Sequence, residues 1–182
     1  QGYLIDIYEE LYSNPNAEIL FEGAQGFGLD IDHGDYPYVT SSHCTTAAAL
    51  LNGVPPQAIR NVWGVAKIYE TYVGAKTFQP EGKVFDSLQE VGEEFGATTG
   101  RKRQCNWMNV QDLQKAVRMN GVTDIVFNKM DVLKQIGEWK FYNGDDLLQF
   151  NTEHEVKSWL TSHLSLSPTV SNIYFSGNKD RI

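Results

Sequence analysis

Asp124-Ile125-Val126-Phe127 runs straight into Asn128-Lys129-Met130-Asp131, and this junction decides the fold. The first four residues are a short, mostly apolar run, which reads as a buried strand. The next four are polar and follow with no linker, so they stand at the strand's carboxyl end. Upstream, Asn109 to Met119 reads as an amphipathic helix, with Val110, Leu113 and Val117 near one face and Asn120-Gly121 as its C-cap. Downstream, Glu153 to Leu164 reads as a helix and Asn172-Ile173-Tyr174-Phe175 as a last strand ending in Ser176-Gly177. Strands alternating with helices, and polar motifs following strands, predict an α/β fold. Its sheet is mostly parallel and flanked by helices, with ligands outside the carboxyl ends of the strands.

Working outward, residues 2–12 have helical apolar spacing and stop at Ser13-Asn14-Pro15. Glu18-Ile19-Leu20-Phe21 reads as a short buried strand, and the glycine-punctuated stretch from Glu22 to Ser42 as a loop. Thr45 to Leu51 is a helix ended by Asn52-Gly53. Val62 to Val73 is one long strand or two, by its aromatic and β-branched content. Phe85 to Val91 is helical, and Tyr142 to Thr152 holds a hairpin around Asn143-Gly144. No internal repeat or domain boundary stands out.

The 182 residues suffice for a sizeable core. Hydrophobic residues at 41% and charged ones at 21% fit a soluble globular chain. A formal net charge of -8 argues against nucleic acid or an anionic membrane as partner, though not against a small anion held by a few local Arg and Lys. Cys44 and Cys105 are far apart, so neither a zinc site nor a disulfide framework is indicated, and a reducing cytoplasm is the simplest context. No apolar run approaches the roughly 18 to 20 residues of a membrane span. The chain begins at Gln1 inside what reads as a helix, which fits either a removed initiator Met or sequence missing upstream.

Two motifs carry chemistry in their residue types. An Asp carboxylate at position 131 can accept from N1–H and the 2-amino group of guanine, a donor pair adenine lacks, while the Lys129 methylenes cover the base. The alternative is a plain helix start, with Asn128 as N-cap and Asp131 in the first turn. The glycine-flanked loop Gly96-Ala97-Thr98-Thr99-Gly100-Arg101-Lys102-Arg103 suits a small dicarboxylate, since a guanidinium fork binds a carboxylate in a bidentate way. Its alternative is a solvated basic loop. No G-x-x-x-x-G-K-[ST] phosphate cradle occurs. Asp30, Asp32 and His33 are a conceivable metal set, but alternation along an extended chain matches only the two aspartates, and no metal ligand is assigned.

Four ordered stretches resemble the adenylosuccinate synthetase family. They are Phe21-Glu22-Gly23-Ala24-Gln25-Gly26 with Leu29 to Gly34 and Tyr36 to Ser42, then Tyr72-Val73-Gly74-Ala75, Glu94 to Arg103, and Lys129-x-Asp131-Val132-Leu133. The likeness covers most of 18–135 and, weakly, 173–181. It implies a P-loop-NTPase-like fold of which residues 1–182 are the C-terminal part, incomplete without an upstream half. It also implies purine nucleotide biosynthesis: GTP phosphorylates the 6-oxygen of IMP, and the amine of L-aspartate displaces the phosphate.

By position, the resemblance makes Gln25 the catalytic hydrogen-bond donor to the 6-oxygen. Gln25, Leu29, Thr40, Val73 and Arg101 would bind IMP. Ala97, Thr98, Thr99, Gly100, Arg101 and Arg103 would bind aspartate. Arg103, Lys129, Met130, Asp131, Ser176 and Gly177 would bind GTP. Magnesium would bridge the nucleotide phosphates, its ligands lying with the acid and base residues before Gln1. A cytoplasmic homodimer is implied, and the chain alone is expected to be inactive. Ser41-Ser42-His43-Cys44-Thr45 and Asn52 to Gln57 also look similar to a phage branch that makes 2-aminoadenylosuccinate from dGMP with ATP or dATP. A non-catalytic nucleotide-binding module is the third alternative.

Overall fold

Residues 4–96 and 100–178 are described in the computed structural model, and they fall into two units, Gln1–Arg60 and Asn61–Ile182. In the first, α1 (Ile7–Tyr12) begins where the Asp6 carboxylate accepts from the Tyr8 N–H at 2.9 Å. The helix expected from residue 2 therefore starts later, and Gly2 and Tyr3 lie outside the described residues. A second short helix, α2 (Ala47–Leu51), ends at Asn52, with Gly53 at φ 88°. The strand expected at Glu18–Phe21 does not form. Leu20 is 89% exposed, Ile19 and Phe21 are also exposed, and no described residue of this unit offers them a ladder partner. An apolar run becomes a strand only where its backbone groups can be paired.

The loop between Gly26 and Cys44 is held by its own bonds. The Leu29 carbonyl accepts from the Thr40 N–H at 2.8 Å, and the Ser42 carbonyl from the Ile31 N–H at 3.2 Å. Asp30 is fully buried, its carboxylate accepting from the N–H groups of Asp32, His33 and Cys44. A Cβ at Gly34 would stand 2.5 Å from the Asp30 carbonyl oxygen, so the loop closes only around glycine.

The second unit runs β1 (Trp63–Lys67), β2 (Tyr69–Tyr72), α3 (Lys83–Val91), β3 (Gln104–Trp107), α4 (Val110–Asn120), β4 (Asp124–Asn128), α5 (Met130–Ile136), β5 (Trp139–Asn143), β6 (Asp146–Phe150), α6 (Glu153–Leu164) and β7 (Asn172–Phe175). Strands β1, β4 and β7 form a parallel sheet with β4 in the middle, as its apolar run requires. The expected "one strand or two" resolves as two. After Ile68 the chain leaves the parallel sheet, and Tyr69–Tyr72 pairs antiparallel with β3. β5 and β6 make the expected hairpin.

The helices explain themselves locally. Asn109 caps α4 by accepting from the Gln111 N–H, and Gly121 ends it in the left-handed region. Thr152 caps α6, whose Val156, Leu160 and Leu164 recur every fourth residue and are buried. They join Ile125, Phe127, Leu133 and Phe141 in the core. Together these features make the unit an α/β fold with a parallel sheet flanked by helices, as the sequence predicts.

Candidate functional site

The parallel sheet brings three carboxyl ends side by side. Lys67 of β1 is paired with Asn128 of β4, and Phe127 of β4 with Phe175 of β7. The Asn128 carbonyl accepts from the Ile68 N–H at 3.1 Å, and the Phe127 carbonyl from the Ser176 N–H at 2.7 Å. Asn128-Lys129-Met130-Asp131 and Ser176-Gly177 are therefore neighbours. Lys129 takes a left-handed backbone at φ 65° and starts α5 in place of Asn128. Its ammonium donates to the Gly92 carbonyl at 2.7 Å, which lays the lysine stem toward the end of α3. Asp131 is exposed in the first turn of α5, and Asn128 Oδ1 is a buried acceptor without a hydrogen-bond partner among the described residues. Met130 is different. Its side chain is 2% exposed and belongs to the core, so only its backbone can meet a ligand. The helix-start alternative is half met: Asp131 does lie in the first turn, but Asn128 is not the cap.

Beside these strand ends lies a charged cluster of which sequence reasoning named only Arg103. The Glu94 carboxylate, 1% exposed, accepts from Lys67 Nζ at 2.8 and 2.9 Å, from the Tyr69 hydroxyl at 2.7 Å and from Arg103 Nη1 at 2.9 Å. Burial would raise the Glu94 pKa, but the bonds from Lys67 and Tyr69 and the two cations outweigh it and hold the carboxyl below its ordinary value. Burial lowers the Lys67 pKa against the pull of Glu94. Burial, then Glu94, raises that of Tyr69. Burial pushes the nearby Cys105 thiol up to about 11, which makes it an inert core residue. Lys67 sits at the end of an apolar strand and Glu94 just past a helix, so each looks unremarkable in sequence, and only their meeting marks them.

The basic loop closes on itself. The Glu94 carbonyl accepts from the Arg103 N–H at 2.9 Å, Phe95 bridges Lys102, and the Arg101 carbonyl accepts from the Gly96 N–H at 2.8 Å. Arg101 is exposed, and Gly100 turns the chain at φ 63°. Ala97, Thr98 and Thr99 lie outside the described residues. Val73, just past β2, is also exposed.

In the first unit, Leu29 and Thr40 are joined by a backbone bond and are half-buried, while Gln25 is exposed with a left-handed backbone at φ 66°. The acidic set there involves His43 rather than His33: Asp30, Asp32 and His43 lie together, with His43 Nδ1 3.3 Å from Asp32 Oδ2. These residues do not fit magnesium. The Asp30 carboxylate is spent on three N–H groups, and a ring nitrogen is a poor donor for a hard cation.

Comparison with known proteins covers both units. A family model described as adenylosuccinate synthetase matches residues 2–158. The adenylosuccinate synthetase of Nitratidesulfovibrio vulgaris is 46% identical over 141 residues, 75% of this chain and 33% of the relative. That of Yarrowia lipolytica is 48% identical over 128 residues, 69% of this chain and 30% of the relative. Among solved structures, a fully ligated adenylosuccinate synthetase from Plasmodium falciparum matches with a TM-score of 0.73 and 31% identity, over 86% of this chain and 40% of that one. The chain thus spans about a third of the length of the curated relatives it matches. The match over most of its residues, together with this parallel sheet and the polar groups at its carboxyl ends, shows that the chain belongs to the adenylosuccinate synthetase family.

Proposed function

We propose that the protein to which this chain belongs ligates L-aspartate to the 6-position of IMP with consumption of GTP, forming a C–N bond. The observation that carries the reading is the junction of β4 and α5. Exposed Asp131, the Lys129 stem and the backbone at Ser176 stand at adjacent strand ends, a geometry suited to a guanine base. Arg103 is bonded to Glu94, two residues beyond the Gly92 whose carbonyl Lys129 meets, and it supplies a guanidinium for the aspartate carboxylate. In this reading Arg101, Gly100 and Ala97 to Thr99 complete the aspartate loop, and Met130 contributes backbone only. Gln25, Leu29, Thr40 and Val73 serve IMP, with Gln25 donating to the 6-oxygen as charge builds there. Magnesium would supply charge neutralisation at the nucleotide phosphates, and no described residue of this chain is assigned as its ligand.

Turnover by the full-length product of the source gene tests the proposal. L-aspartate is supplied with IMP and GTP, and separately with dGMP and ATP, and phosphate and the succinylated purine are followed. Product from IMP with GTP is expected. Product from dGMP alone would transfer the protein to the 2-aminoadenylosuccinate branch and leave Asp131 as a helix-start residue. Product from neither would make it a binding module.

A further inference from the structure

We infer that Glu94 is the positioning residue of the aspartate loop: its buried carboxylate holds the Arg103 guanidinium in the one orientation that presents its open side to the amino-acid carboxylate. The inference rests on the reading of Arg103 as an aspartate-binding residue.

Glu94 and Arg103 face each other across the neck of the loop, joined by the N–H of Arg103 to the carbonyl of Glu94 and again by Nη1 to Oε2. The Gln89 side-chain amide also donates to the Arg103 carbonyl, so the backbone of Arg103 is fixed on both sides. A carboxylate has about four acceptor sites. Here both oxygens accept twice, Oε1 from Lys67 and Tyr69, Oε2 from Lys67 and Arg103. The Arg103 side chain is 33% exposed, while that of Glu94 is 1% exposed, so the pair has one inner end and one outer end. Lys67 and Arg103 against Glu94 leave one net positive charge, and Arg103, 33% exposed against 23% for Lys67, carries it nearer to solvent. Buried ion pairs are weak sources of stability, because desolvation offsets attraction. Orientation of the outer cation accounts for the cluster better than added stability does. Without the Glu94 charge, Lys67 and Arg103 repel, and the longer, more exposed arginine swings away.

The test uses the full-length product of the source gene, with steady-state kinetics for aspartate, IMP and GTP. Arg103→Leu should raise the KM for aspartate at least about ten-fold, the loss of a charge-assisted fork. Glu94→Gln keeps the shape but not the charge, and it should raise the same KM about ten-fold while the KM for IMP stays within about two-fold. The double variant should be no more than about two-fold worse than Arg103→Leu alone, since both act on one group. If Arg103→Leu leaves the aspartate KM unchanged, the reading of Arg103 fails and takes this inference with it. If Arg103→Leu acts but Glu94→Gln does not, or if the two effects multiply independently, the positioning role is wrong and the reading of Arg103 stands. Should Glu94→Gln fail to fold, Tyr69→Phe removes a single bond to the carboxylate. A rise of about three-fold in aspartate KM is then expected, and an unchanged KM with native circular dichroism overturns the inference.

Discussion

Gly92 illustrates how the cluster constrains a residue outside its hydrogen bonds. Its φ of -76° suits any amino acid, yet a Cβ there would fall on the Tyr69 hydroxyl and the Leu88 carbonyl oxygen, with the Glu94 stem just behind. Gly92→Ala should therefore cost about 1–3 kcal/mol, as overpacking does, measured by urea unfolding. A variant as stable as the parent would mean that Tyr69 can move aside. Glu94 itself makes stability depend on pH. Its folded pKa lies below the ordinary 4.5, so the stabilisation is complete above that value and is lost as pH falls through the folded pKa. Between about pH 5 and pH 3 the urea midpoint should fall less steeply for Glu94→Gln than for the parent. Parallel slopes would mean that other carboxylates carry the acid transition. The candidate site was legible where its side chains form a local pattern, as in Asn128 to Asp131 after a strand and the two arginines that follow Gly100. Lys67 and Tyr69 meet Glu94 from 27 and 25 residues away. No local spacing signals a contact of that range.

At the scale of elements, caps and periodicity carried most of the reading. Helices α4 and α6 form where Asn109, Gly121 and Thr152 place their ends, and the hairpin of β5 and β6 turns at Gly144, whose φ is 67°. β4 is the middle strand because its apolar residues can be covered on both faces. The failure at Glu18–Phe21 has a physical cause. Apolar content reports a wish for burial, whereas a strand also needs a neighbour's N–H and C=O, which no four-residue window contains. The break at Ile68 was equally hidden. Ile68 still donates to Asn128 and so completes the parallel edge, and only the pairing of the next residues with β3 shows that the strand has changed sheets. Removing the α6 cap by Thr152→Ala should cost about 1 kcal/mol, from one lost bond to an otherwise unpaired N–H. Leu160→Ala, fully buried two turns on, should cost about 2–5 kcal/mol. Thermal unfolding of the two variants side by side checks the order. Equal losses would mean that α6 is held by its end and not by its apolar stripe.

For the molecule as a whole, the parallel sheet buries one face well and leaves the other partly open. Ile125, Phe127, Ile173 and Phe175 point into the core. On the opposite face Val65 is 69% and Trp63 53% exposed, and Trp63 stacks with Tyr174 across the middle strand at 5.7 Å between ring centroids. A stripe of exposed aromatic and β-branched groups on one sheet face favours association, because pairing removes apolar area from water. The net charge of -8 opposes this by repulsion between copies, and that repulsion is screened by salt over a length of about 10 Å at 0.1 M. The 182-residue chain on its own should therefore elute as a species larger than a monomer in sizing experiments, and more so as salt rises. Replacing Trp63 by Ser and Val65 by Thr should shift it toward monomer without changing its circular dichroism, since neither side chain is buried. A monomer at every salt concentration would show that charge repulsion outweighs the exposed stripe. Association that persists in the double variant would move the sticky surface to the exposed apolar residues of the first unit, Leu20 and Phe21 among them.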